Sequence, residues 1–189
     1  MKRIRMLVVS MIIMCLFSTG FTSASPEKKA VTSDKQIEQK TEEKAEDNNI
    51  IDKSFKKDFE MATATAEINY VAELYSKAWQ AEFKSVATKI KKGYKYKEDQ
   101  KRVDDYVTAY TSVAKKAFDL EMLNWSDISE TPAKRNFGTG AGGAALLAEG
   151  MVYKQATLNL IQHYQGMSDG NEYKYSYNGK GAELQKLRQ

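Results

Sequence analysis

The chain has 189 residues, of which 42% are hydrophobic and 29% charged, with one cysteine, one histidine and a formal charge of +4. A nucleic-acid binder would show a far stronger basic footprint. One histidine and one cysteine are also too few for a zinc site without several carboxylates to help.

Residues 1–24 read as a secretory signal peptide. Lys2, Arg3 and Arg5 form a positive leader, residues 6–17 are apolar apart from Ser10, and Thr22-Ser23-Ala24 offers small residues for cleavage after Ala24. The expected location is therefore secreted or extracytoplasmic, in the cell envelope, away from cytosolic ATP, NAD and thiol pools. An uncleaved anchor is the alternative, but the run fades at Ser18-Thr19-Gly20, short of the roughly 20 apolar residues a span needs. Lipidation at Cys15 is disfavoured because Ile13-Met14 stand where small residues are usual. With Cys15 removed, the mature chain has no disulfide or thiol chemistry.

Removing the leader takes +3 from the charge. Residues 25–54 hold 6 lysines against 8 acids, and residues 55–189 hold 20 Lys and Arg against 17 acids. Residues 25–53 are a charged, low-complexity linker with almost no large apolar residue, too polar to offset the entropy of ordering, and are expected to be disordered. Deleting residues 25–52 should leave the melting of the remainder nearly unchanged.

From residue 54 the chain becomes helical. Phe55, Phe59, Ala62, Ala66, Val71, Leu74 and Ala78 recur at three- and four-residue steps, with Trp79, Phe83, Val86 and Ile90 beside them. The pattern predicts one long helix over 54–91, stopped at Gly93 after Lys91 and Lys92, which suit a helix C-terminus. A second helix over 98–123 carries Val103, Tyr106, Tyr110, Val113, Ala117 and Leu120 on one side. Residues 124–139 break the pattern with Pro132 and Gly138. A third helix over 142–164 would bury Ala144, Leu147, Met151, Leu158 and Ile161. The expected fold is an all-α domain over 54–166, an antiparallel bundle of three helices with a long first helix. Residues 167–189 form a tail whose alternating Tyr173, Tyr175 and Tyr177 fit an extended segment, while its glycines and charges fit disorder equally well.

Few residues carry catalytic chemistry. Residues 138–143 spell G-x-G-x-x-G before a helix, but no strand precedes them and no G-K-[ST] follows, so a nucleotide cradle is not expected. The glycines suit close backbone approach, or amides presented to a protein partner. His163 near a helix end suits terminal carbonyls better than a metal. Glu60, Glu67, Glu73, Glu82, Asp104, Asp105, Asp119, Glu121 and Glu149 are numerous, but a glycosidase pair needs two carboxylates across a cleft, which straight helices hardly offer. No cofactor, no metal and no catalytic residue is expected.

Trp79-Gln80-Ala81-Glu82-Phe83, the basic stretch Lys89-Ile90-Lys91-Lys92, Gln100 opening the second helix, Gly140-Ala141-Gly142-Gly143, and a last helix from Ala144-Ala145 to Thr157 follow one another along the chain. In their order and spacing, over residues 70–165, the chain resembles the LprI-type lysozyme inhibitor domain family, small exported helical domains of bacteria. Tyr106 and Tyr110 stand where the family usually has a tryptophan followed by Arg-Asp, and the arginine after Thr157 is absent. The resemblance implies a non-enzymatic protein that binds lysozyme or another cell-wall hydrolase by occluding its cleft. The contact would fall on the loop from 124 to 143, with Trp125, Phe137, Gly140, Gly142 and Gly143, since exposed aromatics supply binding anchors. An envelope scaffold with a different protein partner is the alternative, in which Tyr106 and Tyr110 form an exposed contact face. A third reading, a hydrolase using Glu82 with a second carboxylate, would need a cleft and a strongly perturbed titration.

Overall fold

The computed structural model describes residues 49–177, and within them the chain is all-α. Helix α1 spans Ile50–Met61, α2 Thr65–Gly93, α3 Lys97–Asn124 and α4 Ala141–Met167, with a short 3-10 turn at Pro132–Lys134. The only strand-like pairing among the described residues is an isolated bridge between Ser126 and Phe137. The expected signal peptide and nearly all of the expected linker lie outside the described residues, as does the tail beyond residue 177.

Two expectations at the N-terminal boundary are corrected. Among the described residues, helical structure already runs from Ile50, capped by Asn49, and so starts before residue 54. The Asn49 side chain accepts the amides of Ile51 and Asp52 at 3.0 and 3.2 Å, and donates to the Asp52 carboxylate at 3.0 Å. It is thus an N-cap that satisfies donors the helix leaves open. Ile51 is fully buried and Asp52 is bonded to α2 and α4, so deleting residues 25–52 would remove part of the core.

The second correction is that residues 54–91 are not one helix. The helix stops at Met61, residues Ala62 to Ala64 turn, and α2 starts anew at Thr65. Glu67 fixes the turn by accepting the amides of Thr63 and Ala64 at 2.9 and 3.2 Å. Such a carboxylate at the third helical position is half of a capping box. The reversal folds α1 back along α2, placing the rings of Phe55 and Phe59 at 5.5 and 5.9 Å from Tyr75.

α2 is the central element. Its buried residues, from Val71 through Tyr75, Trp79, Glu82, Phe83 and Val86 to Ile90, face neighbours on several sides. α3 runs back along it, with Phe83 6.1 and 6.3 Å from the rings of Tyr106 and Tyr110, and Lys91 on α2 paired with Asp104. α4 runs in the same direction as α2 and crosses it on small residues. A Cβ on Gly143 would sit 3.2 Å from the Asn69 Cα and clash with the Asn69 Oδ1, and one on Gly150 would sit 3.1 Å from the Ser76 Cα, so the missing side chains allow this close approach.

The buried face of α4 matches the expected one in part. Ile161 is buried and Leu147 and Leu158 pack against the core as expected, Ala145, Tyr153, Ala156, Thr157 and Leu160 are buried as well, and Met151 is half exposed with its sulfur 3.8 Å from the Tyr75 hydroxyl. α3 is an outer helix with only Val103 and Ala114 fully buried, and Val113 and Leu120, expected on its inner side, face solvent.

After α4 the chain turns through Ser168, Asp169 and Gly170, the latter two with left-handed backbone (φ 51° and 80°). Residues 171–177 then return along α2 as an extended strap. Tyr173 is buried, and Tyr177 stacks on Phe55 with ring centres 5.9 Å apart.

Candidate functional site

The residues that carry the family resemblance are occupied in holding the fold. Trp79 is fully buried, and its indole N–H donates to Asp52 at 3.2 Å. The same carboxylate accepts the Tyr75 hydroxyl at 2.8 Å and pairs with Lys154 of α4 at 2.7 Å. Asp52 therefore ties α1, α2 and α4 together at one point. Phe83 packs in the core among Tyr106, Tyr110 and Tyr153. Gln100 donates to the Tyr94 carbonyl at 2.9 Å and closes the turn between α2 and α3. Thr157 is buried and donates to the Tyr153 carbonyl at 2.6 Å within its own helix.

Glu82 is 1% exposed, and among the described residues the hydrogen bonds it accepts come from the strap. The Tyr173 hydroxyl donates to Oε1 at 2.7 Å, the Ser176 amide to Oε1 at 2.9 Å and the Tyr177 amide to Oε2 at 3.1 Å. A buried carboxylate survives only when so satisfied. Burial and the adjacent Glu82 hold the Tyr173 hydroxyl well above the usual tyrosine range. Tyr175 is pushed up to about 12, chiefly by burial and then by the charges of Glu82 and Asp52. Lys89 lies 4.4 Å from the centre of the Tyr173 ring and donates to the Lys174 carbonyl at 3.1 Å and the Ser176 hydroxyl at 3.2 Å. Covered in this way, Glu82 has no open cleft in which to meet a second carboxylate and a substrate.

The second candidate region is the connection between α3 and α4. Trp125 and Phe137 are 42% and 44% exposed, and Ile128, which the sequence pattern did not single out, is 78% exposed. Leu120 and Leu123 on the last turns of α3 are exposed beside them. These apolar groups sit on an organised loop. Residues Ser126 and Phe137 form the bridge, and the Trp125 indole donates to Glu121 at 3.0 Å. Ser129 donates to Asp127 through both its amide and its hydroxyl, which holds that exposed carboxyl below its usual range.

The three expected glycines separate. Gly140 lies under the Trp125 ring, where an added Cβ would be 3.3 Å away, and so shapes the loop. Gly142 has open space on its side chain position. Gly143 is turned inward against Asn69 at the crossing of α2 and α4, not toward a partner. Tyr106 and Tyr110 are half-buried against Phe83 and lie 4.5 Å apart, so they do not form an exposed aromatic face. Burial and then the neighbouring Tyr110 hydroxyl push Tyr106 up to about 12.

Sequence reasoning passed over Asp52, Lys154 and Ile128, and singled out Tyr173 only as one of the alternating tyrosines of the tail. Asn49 followed by Ile50-Ile51 and Phe55 is a helix-start signal that would have placed Asp52 in the fold. His163 is bonded to the Tyr94 hydroxyl at 2.7 Å across the far end of the bundle. Comparison with protein-family models, with curated proteins and with solved structures gives no match.

Proposed function

We propose that the chain is an extracytoplasmic, non-enzymatic binding protein that occludes the cleft of a lysozyme-type cell-wall hydrolase with the loop between α3 and α4. On this proposal, residues 1–24 export the chain, and α2, α3 and α4 are the antiparallel three-helix unit on which the family resemblance rests. The observation that carries it is the exposure of Trp125, Ile128 and Phe137 on a loop pinned by its own bridge and turns, with Leu120 and Leu123 exposed on the last turns of α3 that lead into it. Aromatic anchors on a preordered loop lose little entropy on docking, which favours binding.

Charge contributes little. Glu121, Asp127 and Glu130 near the loop are offset by Lys134 and Arg135. Lysozymes are typically cationic, so shape and apolar contact would supply the affinity rather than long-range steering.

The test is a titration of lysozyme with the purified protein, reading binding and cell-wall hydrolysis together. Saturable binding with dose-dependent loss of lysis is expected, weakened at least tenfold by Trp125→Ala and by Ile128→Asp, while the melting temperature of both variants stays near that of the parent. Absence of binding at low salt would remove lysozyme as the partner and turn attention to other envelope proteins.

A further inference from the structure

We propose that the groove of α2 centred on Glu82 is a binding site for an extended, tyrosine-bearing peptide, and that the strap is its built-in occupant. The groove reads three features of the strap: the Tyr173 hydroxyl and the successive main-chain amides of Ser176 and Tyr177, all donated to the one buried carboxylate. Lys89 adds a donor to the carbonyl of Lys174, and Phe55 of α1 supplies an aromatic floor for Tyr177. A peptide in this register therefore meets an acceptor for its amides, a donor for its carbonyl and rings for its side chains. That division, main-chain bonds for affinity and side-chain pockets for selection, is how extended peptides are recognised elsewhere.

Two features make the occupant exchangeable. Residues 173–177 are joined to α2 through its side chains, with Tyr173, Ser176 and Tyr177 donating to Glu82 and Lys89 donating to the Lys174 carbonyl and the Ser176 hydroxyl. The strap also ends at a three-residue turn with two left-handed positions, which can move it without unwinding α4. Lifting the strap opens Glu82 to water instead of leaving it as a buried lone charge, so the open groove is not penalised by desolvation. An external peptide competes with a tethered one, whose effective concentration is of millimolar order.

The experiment uses the full-length chain and a labelled synthetic peptide of residues 169–177. Binding is measured by fluorescence anisotropy to the natural chain and to a full-length host whose strap carries Tyr173→Phe and Ser176→Pro, substitutions that delete one hydroxyl and one amide donor. The peptide should bind the weakened-strap host at least tenfold more tightly than the natural chain. A peptide carrying the same two substitutions should bind that host at least tenfold more weakly than the natural peptide, as should the natural peptide when Glu82→Gln is added to the host. Equal binding of the natural and substituted peptides would overturn the proposal, because the amides and hydroxyl would not be read. No binding to either host would overturn it, as would loss of cooperative melting in the weakened-strap host, which would make the strap a permanent part of the core.

Discussion

On the side of α2 that faces α1 and the strap, two carboxylates are bonded on several sides, Glu82 buried and Asp52 partly so. Asp52 gathers Asn49, Tyr75, Trp79 and Lys154, and Glu82 gathers Tyr173, Ser176 and Tyr177. At the end of α3 the polarity is reversed, with Leu120, Leu123, Trp125, Ile128 and Phe137 facing solvent. The first region spends its polar groups on the chain itself and depends on complete pairing for its stability. The second leaves apolar surface unspent and is the region from which binding energy for a partner can be drawn. Substitutions should therefore separate, those around Asp52 acting on stability and those in the loop acting on binding of the hydrolase.

The largest expected effect is at Asp52. Asp52→Ala removes the acceptor for Tyr75 and Trp79 and takes from Lys154, 12% exposed, its ion-pair partner. Breaking a largely buried pair from one side should cost about 3 kcal/mol, read as a shift of the urea midpoint without a change in slope. An effect no larger than a surface substitution would dissolve the contrast between the two regions.

Next is Gly150→Ala, whose added methyl meets the Ser76 backbone at 3.1 Å. Overpacking of this kind costs roughly 1–3 kcal/mol, offset by a gain in helix propensity of about 1 kcal/mol, so net destabilisation of about 1 kcal/mol is expected. Gly142→Ala, with nothing near the added methyl, should go the other way and raise stability by about 0.5 kcal/mol through the unfolded state. The pair of glycines tests the crossing of α2 and α4 with the same chemical change.

The strap can also be probed by pH. Tyr173 and Tyr175 titrate higher in the folded protein than the value near 10 of an exposed tyrosine. A raised folded pKa means the neutral hydroxyl is favoured, so this stabilisation is fully present below about pH 10 and is lost as pH rises through 10 toward 12. Denaturation midpoints should fall across that interval, and the fall should be shallower in Tyr173→Phe, which cannot ionise there.

How much of this was readable in the sequence depends on the range of the interaction that decides it. The courses of α2, α3 and α4 follow from three- and four-residue spacing, and their ends lie close to Gly93 and the glycines after residue 138, because these are local signals. The break between α1 and α2 was not legible, since Phe55, Phe59, Ala62 and Ala66 keep helical spacing straight through it and neither glycine nor proline marks the turn. What decides it is Glu67 capping Thr63 and Ala64, together with the gain from laying Phe55 and Phe59 on Tyr75. The alternating tyrosines of the strap fitted an extended segment and disorder equally well, because the acceptor of Tyr173 stands some ninety positions away on α2, where no periodicity points. The W-x-x-E motif was visible, yet its carboxylate is a fastening for the strap, a role that only the folded neighbours reveal.

The stacking of Phe55 on Tyr177 joins the two ends of the described chain. A polypeptide made or threaded from its N-terminus presents α1 long before the strap exists. Until residue 177 emerges, Phe55 and Glu82 lack their final covering, and closing so long a loop carries the entropy that slows non-local pairing. Helices α1 to α4 can therefore gather early, but the last step of folding must wait for residues 173–177, whose arrival seals the domain.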